Sequence, residues 1–152
     1  MSEVVIREAR AEDLEGIVRL HEADALGQHG DRWSPENRHA YAAAFAAIGE
    51  SRDNILYVAQ RDGRVVGTFQ LTFIPSLTGH GSLRARVGSV QVAEALRSQG
   101  IGARMMAQAA EVARARGARS IELASNKTRV DAHRFYERLG FTRSHEGFRK
   151  GL

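Results

Sequence analysis

The most constraining feature of this 152-residue sequence is a change of hydrophobic pattern near residue 100. Residues 83–92 alternate with a period of two, which predicts a strand. From Ile101 onward apolar residues recur at helical spacing, and Gly117 marks the end of that helix. A further apolar strand is predicted over residues 120–124. A strand, a helix and a strand in this order require the two strands to run parallel, which excludes an all-antiparallel sheet.

The rest of the chain predicts short strands and helices around the same sheet. Asp62-Gly63 is a typical hairpin pair, so the strands on either side of it are expected to be antiparallel. The predicted fold class is therefore α/β with a mixed sheet (α+β), antiparallel in its N-terminal strands. The other predicted elements are a strand at 4–6, helices at 11–21 and 35–47, strands at 55–59 and 65–74, a helix at 130–139 and short terminal strands at 141–143 and 148–150.

Composition narrows the class of protein. A chain of 152 residues with 43% hydrophobic residues predicts one domain, residues 1–152. The absence of cysteine excludes disulfide scaffolds, CxxC zinc sites and a cysteine nucleophile. The histidines do not stand at metal-ligand spacing, so no metal is expected. The N-terminus does not look like a secretory signal and no apolar run reaches the ~20 residues of a membrane span, so we expect a cytoplasmic protein with no membrane partner.

Positive charge is concentrated in one part of the chain. Residues 97–138 contain nine Lys/Arg and four Asp/Glu, a net of +5, whereas the rest of the chain nets −1. This excess indicates an anionic ligand, with a solvated basic helix surface as the alternative. An isoelectric point near 10.1 also raises nucleic-acid binding. We expect no nucleic-acid partner, because the excess is modest and no recognition motif or interleaved aromatic series accompanies it.

The loop between the strand and the helix has the composition of an anion site. Unpaired backbone N–H groups at a helix start can bind phosphate, and Gly100 and Gly102 lack the Cβ atoms that would keep a pyrophosphate away. Arg97 adds a permanent charge. Met105 occupies the position of the third glycine of a dinucleotide fingerprint, and the Gly-Lys-Ser/Thr of a Walker loop is absent. The alternative for the glycine pair is a tight turn with close helix–strand packing.

A second segment, residues 129–141, starts the next predicted helix. The two helix starts then border one crevice at the carboxyl ends of adjacent parallel strands, which is a favoured ligand site. Tyr136 could project its phenol toward that crevice, where a phenol can protonate a departing thiolate. The alternative is a half-buried core tyrosine whose hydroxyl group bonds to the backbone.

Together these segments resemble the GNAT family, the N-acetyltransferases related to a yeast histone acetyltransferase. Residues 97–102 match its Gln/Arg-x-x-Gly-x-Gly/Ala acetyl-coenzyme A motif, and residues 135–141 match its aromatic-Tyr helix closed by Gly-Phe. The resemblance implies the acyl-CoA N-acyltransferase fold, with a splayed parallel pair of strands at the centre. It also implies acetyl-CoA as co-substrate, no metal, and direct attack by the primary amine of a small molecule or peptide in a ternary complex.

The resemblance further implies roles for particular residues. Tyr136 would be the general acid that protonates the coenzyme A thiolate. Three strand residues would bond the pantetheine arm like an added strand, and the loop N–H groups would hold the pyrophosphate. Relatives often pair through C-terminal strands or helix faces, which is compatible with a homodimer. The implied cofactor-binding residues are Val90, Gln91, Val92, Arg97, Ser98, Gln99, Gly100, Ile101, Gly102, Ala103, Asn126, Arg129 and His133.

Two positions depart from the family pattern. Arg129 stands seven residues before Tyr136, where many relatives have an asparagine that contacts the pantetheine. Gly88 stands where many carry a glutamate base, and glycine cannot accept a proton. The alternative function is therefore a catalytically weak acyl-CoA-binding regulatory module. The candidate bases, chosen by loop position, are His29, His80 and Glu22.

The acceptor is expected to lie between residues 24–33, Phe73, Ile74 and the loop around His80. In these walls Asp31 and Glu22 would attract an ammonium group, and Trp33 would pack against either the acceptor or the core.

Overall fold

The computed structural model describes residues 2–24 and 29–152. Within these residues the chain forms a five-stranded sheet in the order β1-β2-β3-β4-β5, antiparallel except for the parallel pair β4–β5. The strands are β1 Val5–Glu8, β2 Asn54–Arg61, β3 Arg64–Pro75, β4 Leu83–Val92 and β5 Ala118–Leu123. The helices are α1 Leu14–Glu22, α2 Arg38–Glu50, α3 Thr78–Gly81, α4 Ile101–Ala115 and α5 Val130–Arg138, with 3-10 turns at Ala11–Asp13 and Glu94–Leu96.

The main core lies between one face of the sheet and α4. The apolar stripe of α4 buries Met105 and Ala109 completely, against Phe69 and Leu71 of β3. Burying a side chain of this size stabilises the fold by about 1.5–3 kcal/mol. The opposite face of the sheet carries α1 and α2, which contact β3 and β2 respectively. The sheet is therefore covered on both faces, and its strand ends are the places where a ligand can enter.

A buried ion pair fixes the start of α1 against β1. Both guanidinium Nη atoms of Arg7 donate to the Asp13 carboxylate, at 2.7 and 2.9 Å, and the backbone N–H of Arg10 donates to it at 2.7 Å. The hydrogen bonds from Arg7 and Arg10 hold the pKa of Asp13 below its ordinary value, although burial opposes them. Because this carboxylate is almost fully buried, the pair orients α1 on the sheet.

Two expectations from the sequence are wrong. Pro35 does not open a helix, because residues 35–37 form a turn in which the N–H groups of Asn37 and Arg38 both donate to the Ser34 carbonyl oxygen. The helix α2 begins only at Arg38. Residues 141–143 and 148–150 form no strand, and Phe148 is 96% exposed. The predicted parallel pair is present, and β5 is the last strand of the described sheet.

The hairpin turn and the fourth strand agree with the sequence prediction. Asp62 and Gly63 have φ values of 51° and 73°, as the two central residues of a type I′ turn require. The bounds of β4 match the residues that alternate in the sequence. Both features depend on local signals, a turn dipeptide and a two-residue period.

Candidate active site

An extra residue in β4 opens the sheet at its last two strands. Thr68 of β3 pairs with Gln91 and Gln70 pairs with Gly88, so two residues of β4 oppose one residue of β3. The residue at this bulge, Ser89, has a φ of 51°, which is unusual for a side chain other than glycine. Pairing between β4 and β5 ends at Val87, and among the described residues none pairs with residues 88–92 on the β5 side. The predicted splaying of the strands is therefore present.

The free edge beyond the bulge presents backbone groups to the gap. The N–H of Ala93 donates to the Val66 carbonyl oxygen on β3 at 2.8 Å. Because successive N–H groups of a strand point in opposite directions, the N–H of Val92 points toward the gap. The Val92 carbonyl oxygen also lies on that side, since it accepts a hydrogen bond from Arg97 Nε at 3.2 Å. An extended ligand arm could bond to this edge as an additional strand would.

The loop after β4 forms a cradle of exposed amides. Ser98 and Gly100 have φ values of 64° and 86°, a left-handed conformation that turns consecutive N–H groups to one side. The first helical hydrogen bond runs from Arg104 N–H to the Gly100 carbonyl oxygen, so the N–H groups of residues 101–103 have no acceptor within the helix. Within the part of the chain that the structure describes, no side chain caps this helix start. Such a cradle attracts an anion, and the exposed Arg97 stands beside it.

The second glycine of the pair has a packing role. A Cβ atom on Gly102 would lie 3.1 Å from Cζ of Phe135, which is tighter than ordinary van der Waals contact. Glycine at this position therefore lets α4 and α5 approach each other. Gly100, in contrast, has open space at its Cβ position and is required by its positive φ. That both glycines keep the way clear for a pyrophosphate stays a prediction, and the structure adds a conformational reason for Gly100 and a packing reason for Gly102.

Tyr136 of α5 is held by aromatic neighbours and keeps its hydroxyl group free. Its ring centroid lies 5.1 Å from that of Phe135 and 5.8 Å from that of Phe141, the latter edge-on. Within the described residues the hydroxyl group forms no hydrogen bond, yet no buried side-chain oxygen or nitrogen lacks a partner, so this hydroxyl group is accessible. The alternative of a core tyrosine bonded to the backbone is thus not observed. Burial raises the pKa of the Tyr136 phenol, and the nearby charge of Arg129 partly offsets this rise.

Arg129 connects α5 to the end of α1. Its Nη2 atom donates to Asp24 Oδ2 at 2.5 Å, and the two side chains are 23% and 8% exposed. The predicted contact between Arg129 and the cofactor stays a prediction, and the structure shows in addition that Asp24 is a partner of this guanidinium. The ion pair with Asp24 holds the guanidinium in place, and its positive charge lowers the pKa of the Tyr136 phenol against the effect of burial.

The polar atoms of Asn126 and His133 are used in the loop before α5. The Asn126 side-chain oxygen accepts from the N–H and hydroxyl groups of Thr128, at 3.0 and 2.9 Å. His133 Nε2 lies 2.8 Å from the Asn126 carbonyl oxygen, and its Nδ1 lies 2.7 Å from Arg143 Nη2. With Arg143 donating to Nδ1, His133 is the neutral tautomer that donates from Nε2. Both residues brace the start of α5, and their predicted contact with a cofactor remains a prediction.

A cavity of about 190 Å³ lies on the other face of the sheet, between the sheet, α1 and α2. Its wall is mostly apolar, and it reaches β4 at the bulge residue Ser89. Tyr41 of α2 donates its hydroxyl group to Asp31 Oδ1 at 2.9 Å, which fixes that carboxylate in the wall. The described residues that line it are Leu14, Ile17, Val18, His21, Asp31, Tyr41, Ala44, Phe45, Ile48, Leu56, Gln70 and Ser89.

The expected acceptor walls are only partly present. Asp31 lines the cavity, but Phe73 is buried on the α4 face under the guanidinium of Arg116, 4.4 Å from its ring centroid. Trp33 packs against Tyr41 and under the guanidinium of Arg38, at 5.5 Å, so its cationic partner is the chain's own residue. Of the expected loop 24–33, residues 25–28 lie outside the described residues.

None of the three predicted base candidates lines the cavity. His29 and His80 are exposed, and the carboxylate of Glu22 accepts the backbone N–H of Trp33 at 3.2 Å. The histidine that does line it, His21, was not among the candidates. Its signal was present in the sequence, because His21 continues the apolar stripe of α1 at i+7 from Leu14.

No group of three or more metal-ligating side chains comes together in residues 2–24 and 29–152. No helix in that part of the chain has the length and apolar character needed to cross a membrane.

Comparison with known proteins gives consistent results. Residues 14–141 match the acetyltransferase (GNAT) family. The aminoalkylphosphonate N-acetyltransferase of Salmonella typhimurium is 40% identical over 100 residues, covering 65% of this chain and 64% of that protein. The glucosamine 6-phosphate N-acetyltransferase of Trypanosoma brucei brucei is 31% identical over 91 residues, covering 60% of this chain and 59% of that protein. The chain thus spans less than two thirds of the length of each of these curated relatives.

Several solved structures are similar along nearly the whole chain. A protein from Bacillus halodurans C-125, described as a transcriptional regulator, superposes with a TM-score of 0.95 at 41% identity. The superposition covers 99% of this chain and 100% of that one.

Proposed function

The chain belongs to the GNAT acetyltransferase family, and we propose on this basis that it transfers the acetyl group of acetyl-coenzyme A to the primary amine of a small molecule. The observation that carries the proposal is a single arrangement: an unpaired strand edge, an amide cradle at the start of α4, and an accessible phenol on α5, the helix whose Phe135 packs against Gly102 of that helix start. A structural glycine turn would not require the strands to part as well.

The residues present fit coenzyme A. The free edge of residues 90–92 suits the amide-containing pantetheine arm, and the N–H groups of residues 98–103 suit the pyrophosphate. Arg97, whose Nε atom is bonded to the Val92 carbonyl oxygen, can direct its other guanidinium N–H groups at a phosphate. When bound, acetyl-coenzyme A supplies an acetyl group activated as a thioester. With no cysteine in the chain, the amine attacks it directly in a ternary complex rather than through a cysteinyl intermediate.

The chain's own groups assist this attack in three ways. The N–H of Val92 donates to the acetyl oxygen as negative charge develops there, and one such donor is typically worth ~3 kcal/mol. Tyr136 gives its phenolic proton to the departing sulfur. The charge of Arg129 stabilises the phenolate that remains, because it lowers the pKa of Tyr136 relative to burial alone. Holding both reactants in position can remove about 7–11 kcal/mol of barrier in favourable cases.

The two curated relatives favour a small acceptor over a peptide. One is named for aminoalkylphosphonates and the other for glucosamine 6-phosphate, and both acceptors are small amines that carry an anionic phosphorus group. We propose an acceptor of this size, with an aminoalkylphosphonate as the first compound to test.

The test measures cofactor binding before turnover. Calorimetry with coenzyme A should give binding that Gly100→Val weakens, because the variant cannot adopt the left-handed φ of 86° without strain. Release of free thiol is then followed with 2-aminoethylphosphonate, glucosamine 6-phosphate, n-propylamine and a lysine-containing peptide. Turnover of one of the small amines supports the proposal. Absence of coenzyme A binding would refute it.

A regulatory function is the second candidate. It rests on two observations: Gly88 provides no base on β4, and the similar Bacillus halodurans protein is described as a transcriptional regulator. This candidate predicts coenzyme A binding without thiol release for any amine in the panel, at any pH up to the range where the amines are neutral.

A further inference from the structure

We propose that His21 is the base that accepts the proton of the acceptor amine, and that the cavity between α1, α2 and the sheet holds the amino end of that acceptor. The inference rests on the proposed acetyltransferase activity and deepens it. It supplies the base that Gly88 cannot provide.

The position of His21 puts it on the same cavity wall as the bulge of β4. His21 lies in the last turn of α1 and lines the cavity together with Ser89, the bulge residue of β4. The next residue, Val90, begins the free edge at which the acetyl donor is proposed to bind. The cavity therefore reaches the opening in the sheet from the face opposite to α4. An amine in the cavity would approach the acetyl group through the gap at the bulge, where Gly88 leaves open space at its Cβ position.

The imidazole of His21, unlike that of His133, is not used in a hydrogen bond with another described residue. Within the described residues the ring of His21 forms no hydrogen bond, and its nitrogen atoms are accessible because no buried side-chain nitrogen lacks a partner. His133 is the opposite case, with both ring nitrogens occupied by Asn126 and Arg143. A histidine with a free lone pair in a largely apolar cavity can take up a proton, whereas one used in bracing a loop cannot.

The surroundings of His21 favour the neutral form of its imidazole. Burial lowers the pKa of the His21 imidazole, and His29 adds to that effect, while the carboxylates of Asp31 and Asp24 oppose it. The other polar groups in the cavity wall are uncharged: Tyr41 of α2, Gln70 of β3 and Ser89 of β4. His21 is consequently neutral at pH 7 and ready to accept a proton. Asp31, held by the Tyr41 hydroxyl group, attracts the ammonium form of the acceptor and stabilises the imidazolium that forms.

The cavity also limits the acceptor. Among the described residues that line it there is no lysine or arginine, and apolar side chains from α1 and α2 form most of that wall. A volume of about 190 Å³ accommodates an amino group on a short aliphatic chain. An anionic group on the acceptor, such as a phosphonate, has no cation to pair with in this cavity and would remain outside it.

Each proton in the proposed transfer has a donor and an acceptor. The ammonium group loses one proton to His21, which later releases it to solvent, and the neutral nitrogen forms a bond to the acetyl carbonyl carbon. The bond from that carbon to sulfur breaks, and the sulfur receives a proton from Tyr136. The second proton of the nitrogen returns the phenolate to the phenol, so the products are the amide, the thiol and one proton in solution.

The test compares His21→Gln with His39→Gln, an exposed histidine on α2 that serves as the matched control. At pH 7, with n-propylamine or 2-aminoethylphosphonate as acceptor, His21→Gln should lower kcat by about 10²-fold and leave the Kd for coenzyme A unchanged. The loss should shrink as the pH approaches the pKa of the amine, because a neutral amine needs no base. His39→Gln should retain the full rate and the pH profile of the unsubstituted protein.

A second measurement does not depend on turnover. In the unsubstituted protein, NMR of the histidine ring signals should show that His21 titrates below the ordinary value of 6.5 and that n-propylamine shifts its signals in the presence of coenzyme A. An unchanged kcat and pH profile in His21→Gln would overturn the inference while leaving the proposed function intact. Coenzyme A binding without turnover of any amine would instead refute the proposed function, and the His21 signals would then decide whether the cavity still binds amines.

Discussion

The ion pair between Asp24 and Arg129 is expected to contribute measurably to stability, because it joins the end of α1 to the start of α5 across 105 positions of the chain. Asp24→Asn and Arg129→Gln each remove one charge while keeping a side chain of similar size. Combined in one protein, the two substitutions complete a double-mutant cycle that isolates the interaction between the two side chains.

The magnitude follows from the distance and the exposure. The joined atoms lie 2.5 Å apart and the side chains are 8% and 23% exposed, so water competes little for the carboxylate and more for the guanidinium. A hydrogen bond to a charged group contributes about 1.5–3 kcal/mol. We expect Asp24→Asn to lower the free energy of unfolding by about 2 kcal/mol, and the coupling energy to be about 1.5 kcal/mol. For a chain of this length, 2 kcal/mol corresponds to a decrease in Tm of about 4–8 °C.

Urea unfolding of the four proteins gives the coupling energy. The exposed pair Asp131 and Arg134, whose closest charged atoms are 3.8 Å apart, provides the matched control cycle and should couple by less than about 0.5 kcal/mol. A coupling for Asp24 and Arg129 no larger than that of the control pair would refute the reasoning, because it would mean that the buried contact is replaced by water at no cost.

Three further predictions concern the site and its support. Tyr136→Phe should lower kcat by about 10²-fold with little change in the Kd for coenzyme A, measured by thiol release and calorimetry, because it removes only the phenolic proton. Gly102→Val should lower the free energy of unfolding by about 1–3 kcal/mol in urea titrations, since its side chain would overlap Phe135. Asp13 has its pKa held below 3.8 mainly by Arg7, so its contribution to stability is present above pH 3.8 and is lost as the pH falls through the lower folded value. Urea midpoints between pH 7 and pH 2 should therefore fall more steeply in the unsubstituted protein than in Asp13→Asn.

Each of these predictions has an outcome that contradicts it. A full rate in Tyr136→Phe would remove the phenol from the mechanism. Gly49→Val serves as the control for Gly102→Val, because Gly49 lies in a helix with open space at its Cβ position. Equal stability losses in the two variants would mean that the contact with Phe135 is unimportant. If the urea midpoints of Asp13→Asn and of the unsubstituted protein fell in parallel with pH, the ion pair between Arg7 and Asp13 would not be the cause of the loss of stability at low pH.

Features of this fold that depend on neighbouring residues were predictable from the sequence. The Asp62-Gly63 turn, the alternation in β4 and the glycine at the start of α4 all act within a few residues, and the structure has all three. The start of α2 was predicted wrongly, because a proline at a first helical position and a proline in a turn share the same φ. The terminal strands were predicted wrongly because a short alternating segment becomes a strand only when a sheet edge accepts it.

The parts of the site that were missed depend on contacts between distant segments. The partner of Arg129 is one example, since nothing near Arg129 in the sequence indicates that it pairs with a carboxylate from the end of α1. His21 is inconspicuous as one histidine on an apolar stripe, and it gains a chemical environment only when α1, α2 and two strands enclose a cavity around it. Local pattern thus predicted the strand, the glycine turn and the helix start, but not the contacts that bring α1 and α2 into the site.

The one extra residue at the bulge of β4, Ser89, controls whether the sheet opens between its last two strands. Without that one residue, β4 would regain a regular ladder with β3, and the side chains of residues 90–92 would exchange faces. The strands β4 and β5 could then continue their pairing beyond Val87 and close the gap between them. Homologous chains that differ here by a single insertion or deletion would therefore differ in whether they can admit a ligand at all, whatever side chains they carry.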